Sequence, residues 1–138
     1  MGIESFNETT RWSVNKEFSD EMLEDVIRQA LQYVYSIHFY LIYGLPGDDY
    51  TQWFAWLEKL AALRDTEYTT YDTDLFGDQY KINKKNIRFE FSLTNFEPCP
   101  QTPMENTPFV NFREKHEFLK QWSDTMIRCG FFAGEHLE

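Results

Sequence analysis

The chain has 138 residues and a formal charge of -10, from 13 basic and 23 acidic side chains. That length allows one domain with a real core, and aromatics at 18% demand one. The negative balance argues against a phosphate grip on nucleic acid and equally disfavours an anionic membrane surface, while no apolar run reaches the roughly 18 residues of a transmembrane helix.

Gly2-Ile3-Glu4-Ser5 reads as the last turn of a strand, which carries the expectation of further chain upstream. Thr9 to Lys16 holds one or two helical turns. Ser19 is an N-cap, with Asp20 and Glu21 where negative charge meets the positive end of a helix. Met22, Leu23, Val26, Ile27, Ala30, Leu31 and Val34 recur at helical spacing and form one apolar stripe facing a sheet.

Ile37 to Tyr43 is a nearly continuous run of bulky residues, the pattern of a parallel strand buried on both faces. Gly44-Leu45-Pro46-Gly47 turns the chain. Asp49 then caps a second helix, with Gln52 at the capping-box position and Trp53, Phe54, Leu57, Leu60 and Ala61 as its buried stripe, ending near Arg64. The polar stretch 65–86 carries a turn at Phe76-Gly77-Asp78-Gln79 and reads as a hairpin excursion.

Ile87, Phe89, Phe91 and Leu93 alternate with Arg88, Glu90 and Ser92, giving a strand with one apolar and one polar face. Asn95 to Pro108 holds Pro98, Pro100, Pro103 and Pro108 and is expected as an extended loop. A third helix runs from about Phe112 to Cys129, with Leu119, Trp122, Met126 and Ile127 as its stripe, Phe118 at the edge and Gly130 as its cap. Residues 135–138 are a tail, and Leu137-Glu138 read as a vector scar. Strands alternating with helices mean parallel pairing and right-handed crossovers. The expected fold is therefore α/β in a single domain 1–138: three βα units plus the hairpin, a partial (half) TIM-type β/α barrel.

Four pieces in this order resemble the second half of a radical S-adenosylmethionine (radical SAM) enzyme barrel. Gly2-Ile3-Glu4-Ser5 resembles that family's fourth-strand end. Asn15-Lys16 resembles the asparagine and basic residue before the next helix. Tyr40 to Asp48 resembles the fifth strand with its glycine-proline-glycine turn. Phe96-Glu97-Pro98 with Pro100-Gln101-Thr102-Pro103 resembles the sixth-strand loop, most like cobalamin-binding members. The resemblance covers Gly2 to about Met126. It implies S-adenosylmethionine as cofactor, with Glu4 and Ser5 near its ribose and methionyl part, Ile42 on the adenine, and Gly44, Asp48 and Phe96 beside it. Asp48 stands where the family usually has glutamate, one methylene longer. The family's Cys-x3-Cys-x2-Cys loop is absent from this sequence. A [4Fe–4S] cluster takes thiolate ligands that Cys99 and Cys129 do not supply, so a cluster belongs only to a complete enzyme and the chain is expected to be inactive alone.

The polar faces add candidates. If Ile42 faces the cofactor, His38 and Tyr40 line the same cavity, joined by Arg88, Glu90 and Ser92 as substrate-facing residues. Burying those polar groups dry would be costly unless they were paired, and a wet or ligand-filled lumen removes the problem. Blander readings stand beside these. His38 on a mostly apolar strand is more often a satisfied core or cavity histidine than a catalytic base, and Cys99 more often an inert than a reactive thiol; Arg88 and Glu90 also read as a mutual pair, the Gly-Pro-Gly turn as a plain turn and Glu4-Ser5 as a helix cap. His116 and His136 look like surface residues.

The two cysteines make neither a disulfide framework nor a zinc box, so a reducing, cytoplasmic setting without a signal peptide is expected. Three parallel strands leave two sheet edges open. The expected partner is a second copy in a homodimer, or a missing N-terminal half-barrel, with no nucleic acid and no membrane. The alternatives are a non-enzymatic interaction module assembling through those edges, and an independent small-molecule-binding α/β protein using the strand ends.

Overall fold

A computed structural model describes residues 1–66, 68–84, 87–96 and 112–131, of which 68–72 and 81–84 are described by backbone alone. The proline-rich stretch beyond Phe96, with Cys99, lies outside the described residues. So does the tail with His136.

The elements follow the alternation in the sequence. They are β1 (Gly2–Glu4), α1 (Glu8–Ser13), α2 (Asp20–Ala30), β2 (Ser36–Tyr43), α3 (Tyr50–Arg64), β3 (Tyr68–Thr73), β4 (Gln79–Lys84), β5 (Arg88–Asn95) and α4 (Phe112–Arg128). The molecule is mixed α/β, with an open three-stranded sheet in the order β1-β2-β5. Both pairings in this sheet are parallel, with Phe39 beside Phe91 and Leu41 beside Leu93. The excursion is a separate antiparallel hairpin, β3 with β4, turning through Gly77.

Local chemistry sets the helix ends. The Ser19 hydroxyl accepts from the Met22 amide, and the Asp49 carboxylate accepts from the Thr51 amide. Gly130 adopts φ 81 after α4, and the Phe131 amide reaches back to the Met126 carbonyl at 2.7 Å.

The described helices that contribute to the core do so on one face of the sheet. Ile37, Phe39, Leu41 and Tyr43 of β2 and Phe89, Phe91 and Leu93 of β5 pack against Leu23 and Ile27 of α2, Trp53, Trp56, Leu57, Leu60 and Leu63 of α3, and Phe118, Trp122 and Met126 of α4. Phe6, fully buried between β1 and α1, sits within 6.4 Å of the rings of Phe39, Trp53, Trp56, Phe91 and Trp122. Centroid spacings of this kind, stacked or edge-on, are the favoured aromatic geometries.

Three expectations need correction. β2 is not buried on both faces: Ser36 and Tyr40 are exposed, while His38 and Ile42 are half-buried. The stripe of α2 is narrower than its sequence: Leu23, Ile27 and Leu31 are buried, but Met22 is 55% and Val26 51% exposed, and Val34 is exposed too. In α4 the buried line runs through Lys115, Phe118, Trp122, Thr125 and Met126, so Phe118 is central and Ile127 points outward. The common reason is one-sided packing. A helix lying on a single sheet face buries only the arc that touches it. No helix among the described residues is long and apolar enough to cross a membrane.

Candidate functional site

The C-terminal ends of parallel strands share one edge of the sheet, where open α/β sheets bind ligands. Here that edge holds Glu4, Gly44, Asn95 and Phe96. Glu4 takes φ 65, an uncommon conformation for a residue with a side chain, at an irregularity in the β1–β2 pairing. Its carboxylate faces Lys16 at 3.7 Å. Asn15, just before that lysine, is also left-handed at φ 64. The Asn15-Lys16 pair singled out in the sequence is thus brought back to the end of β1.

Ser5 and Asp48 meet, but as a buried hub. The Ser5 hydroxyl donates to the Asp48 carboxylate at 2.9 Å. The same hydroxyl oxygen accepts from the Asn7 amide and from Trp53 Nε1, each at 3.0 Å. Asp48 further accepts from the Thr10 hydroxyl, Trp53 Nε1 and the Asp49 amide. Burial raises the Asp48 carboxyl above its ordinary value, and these hydrogen bonds act in the opposite direction. Asp48 therefore ties the ends of β1 and β2 to α1 and α3. Ile42 stands half-buried on the uncovered face, two residues before Gly44. The Gly44 amide donates to the Tyr50 hydroxyl at 2.9 Å. Phe96 is half-buried just beyond β5, its amide donating to the Tyr43 carbonyl.

The five substrate-facing candidates come together on the uncovered face. Parallel register sets His38 beside Glu90 and Tyr40 beside Ser92. His38 Nε2 lies 2.6 Å from Ser92 Oγ, and its Nδ1 lies 3.3 Å from Glu90 Oε2. One tautomer fits both contacts: Nδ1–H facing the carboxylate leaves Nε2 to accept the Ser92 hydroxyl proton. Arg88 stands 3.3 Å from the other Glu90 oxygen. The Tyr40 ring stacks on His38 at 4.4 Å and is 54% exposed. The result is a row of Ser92, His38, Glu90 and Arg88, able to hold a proton at His38 and to present polar and aromatic surface together.

Two buried cations escaped the sequence reading. Arg11 is fully buried, donating to the carbonyls of Ser5 and Phe18, pairing with Asp20 and lying 4.9 Å over the Phe18 ring. Lys115 donates to Asn95 Oδ1 at 2.6 Å and to the Phe96 carbonyl at 3.2 Å. Only the spacing of Lys115 from Phe118 and Trp122 on the helix hinted at its burial. Among the described residues no group of three or more His, Cys, Asp or Glu side chains is placed to hold a metal ion. Cys129 is a free, half-buried thiol. Compared with protein-family models, curated proteins and solved structures, the chain matches none.

Proposed function

We propose that this chain is the C-terminal part of a radical SAM-type catalytic barrel, supplying S-adenosylmethionine and substrate contacts and inactive by itself. The observation that carries this reading is the sheet's asymmetry. Three parallel strands have helices packed over one face, and the other face carries a linked polar row under no helix among the described residues. A closed six-stranded barrel would turn that face into a lumen. On this reading Glu4, Ile42, Gly44 and Phe96 meet the cofactor, while His38, Tyr40, Arg88, Glu90 and Ser92 meet the substrate.

The residues present fit the two groups unequally. A half-buried Ile42 two residues before a positive-φ glycine offers an apolar ledge at the strand ends, suited to an adenine ring. Ser5 and Asp48 would act behind it, by holding the two strand ends in place. The iron-sulfur cluster has no thiolate set among the described residues, and the sequence holds too few cysteines for one. Cluster ligands therefore belong to another polypeptide segment. S-adenosylmethionine, when bound beside such a cluster, supplies radical chemistry. This chain's residues would orient the adenosyl group and hold a proton at His38.

Calorimetric titration with S-adenosylmethionine and with methylthioadenosine tests this. Saturable heat is expected for both, and it should disappear in Ile42→Glu, a change on the uncovered face that spares the core. The reading fails if the intact chain gives no saturable heat with either compound.

A second observation favours assembly through the β1 edge. Met1, Gly2, Ile3, Phe18, Met22 and Val26 line an open, almost wholly apolar groove of about 290 Å3 beside this short strand. We propose that a second copy or a front half-barrel adds its strand here and covers Met22 and Val26. Light scattering should show an assembly that Val26→Glu dissolves. A monomer at high concentration, with no partner half bound on co-expression, would end this second reading.

A further inference from the structure

At the opposite corner of the sheet edge, Lys115 presents a problem of charge. It lies in the first turns of α4 and is 9% exposed. Its ammonium has three protons to give. Asn95 Oδ1 and the Phe96 carbonyl take two of them, and both acceptors are neutral. None of the described carboxylates lies within ion-pairing distance of it. Lysines this buried are normally paired, because removing an ammonium from water is costly when nothing of opposite charge replaces the water.

The position is held with care. The lysine stem runs against Gly44, where an added Cβ would stand 2.6 Å from Lys115 Cε and 3.1 Å from Nζ. Gly44 also has φ +89. The left-handed backbone calls for glycine there, and its missing side chain leaves the space that the end of the Lys115 stem occupies. The same glycine amide donates to Tyr50 Oη, so the Tyr50 hydroxyl proton remains to be given. That ring is fixed by stacking on Phe118 at 4.0 Å. Two donors therefore converge on Gly44, beside the first turns of a helix whose amides carry partial positive charge. Asp48 and Glu114 act on Tyr50 through space, but neither pairs with Lys115.

We propose that Lys115, with Tyr50, is the recognition point for an oxyanion group, a carboxylate or a phosphate, bound at the C-terminal ends of β2 and β5. The missing counter-charge is the ligand's. The inference goes beyond the radical SAM reading: it shares Gly44 and Phe96 with that reading's cofactor contacts, but it rests on the charge of Lys115 and uses neither β1 nor Ile42.

Thermal unfolding at constant ionic strength, in chloride, phosphate or acetate, provides the test. An anion that binds the folded chain raises its Tm by mass action. The wild-type Tm should climb with phosphate or acetate beyond its chloride value, and the larger shift identifies the phosphate or the carboxylate as the preferred group. Lys115→Met keeps the stem beside Gly44, should lose the anion-specific shift, and should melt higher than wild type in chloride. Tyr50→Phe should keep a reduced shift. General salting effects act on every variant alike, so equal shifts in wild type and Lys115→Met overturn the proposal. Calorimetric titration of the wild-type chain with phosphate and with acetate gives an independent reading should Lys115→Met fail to fold. Saturable heat for either anion supports the site, and no heat for both overturns it. Because methylthioadenosine carries no oxyanion, its binding or failure to bind bears only on the adenosyl reading.

Discussion

The two faces of the β1-β2-β5 sheet are built from the same strands and obey different rules. On the covered face, Phe39 and Phe91 stack at 5.6 Å beneath Phe6 and Trp122. On the uncovered face, His38 and Ser92 sit at neighbouring positions and are joined by a 2.6 Å contact. The covered face is held by buried aromatic area, which is worth about 25 cal/mol per Å2 removed from water. The uncovered face is held by hydrogen bonds and ion pairs that are partly exposed, with Ser92 alone of the row buried, each contributing roughly 1 kcal/mol or less. The first face makes the fold, and the second is free to carry function without weakening it.

That contrast can be broken most severely at Trp122. Its ring touches Phe6, Trp53, Phe91 and Phe118. Trp122→Ala should cost about 3–5 kcal/mol, read by denaturant unfolding, as expected for emptying a large core site. A small effect there would mean that the covered face is not the core.

Asp48 comes next. Asp48→Asn keeps the shape but turns two hydrogen-bond donors toward the Ser5, Thr10 and Trp53 donors, and should cost about 1–3 kcal/mol near neutral pH. The pH dependence has a definite sign. The carboxyl is raised in the folded chain from the ordinary value of 3.8, chiefly by burial. Its favourable contribution is therefore complete below that value and is lost as pH rises through the folded one. Melting curves should show the wild type losing this contribution over that window, while Asp48→Asn lacks the same slope.

A finer comparison pairs two tryptophans on one core. Trp53 Nε1 donates to Ser5 and Asp48, whereas the buried Trp122 Nε1 finds no acceptor among the described residues. Trp53→Phe should be the more costly by roughly 1 kcal/mol, because it alone surrenders hydrogen bonds. Equal costs would remove the hub from the account.

The smallest effect belongs to the uncovered face. Arg88→Ala, at a side chain 64% exposed, should change stability by no more than about 0.5 kcal/mol. A loss of several kcal/mol would mean that this face carries packing as well.

Much of this was legible in the chain itself. Period-two alternation from Ile87 to Leu93 specified both the strand and its faces. Ser19 and Asp49 marked helix starts, because their side chains meet amides only a few residues away. Gly130 marked a helix end, since left-handed backbone favours glycine. The polar row was legible as parity, with His38 and Tyr40 sharing one side of a strand and Arg88, Glu90 and Ser92 another.

What needed the folded chain was whatever depends on distant partners. The run from Ile37 to Tyr43 is apolar enough for two buried faces, but the described helices cover only one, and Tyr40 is exposed. Asp48's place as a hub was not legible, because Ser5 and Thr10 arrive from far upstream to bond its oxygens. Lys115 drew no attention in the sequence. Its burial is set by Gly44 and Asn95, residues that only the parallel register of β2 and β5 brings to its side. Local pattern therefore determined the elements and their faces. Tertiary packing decided which faces meet, since burial and charge pairing depend on what lies across the gap.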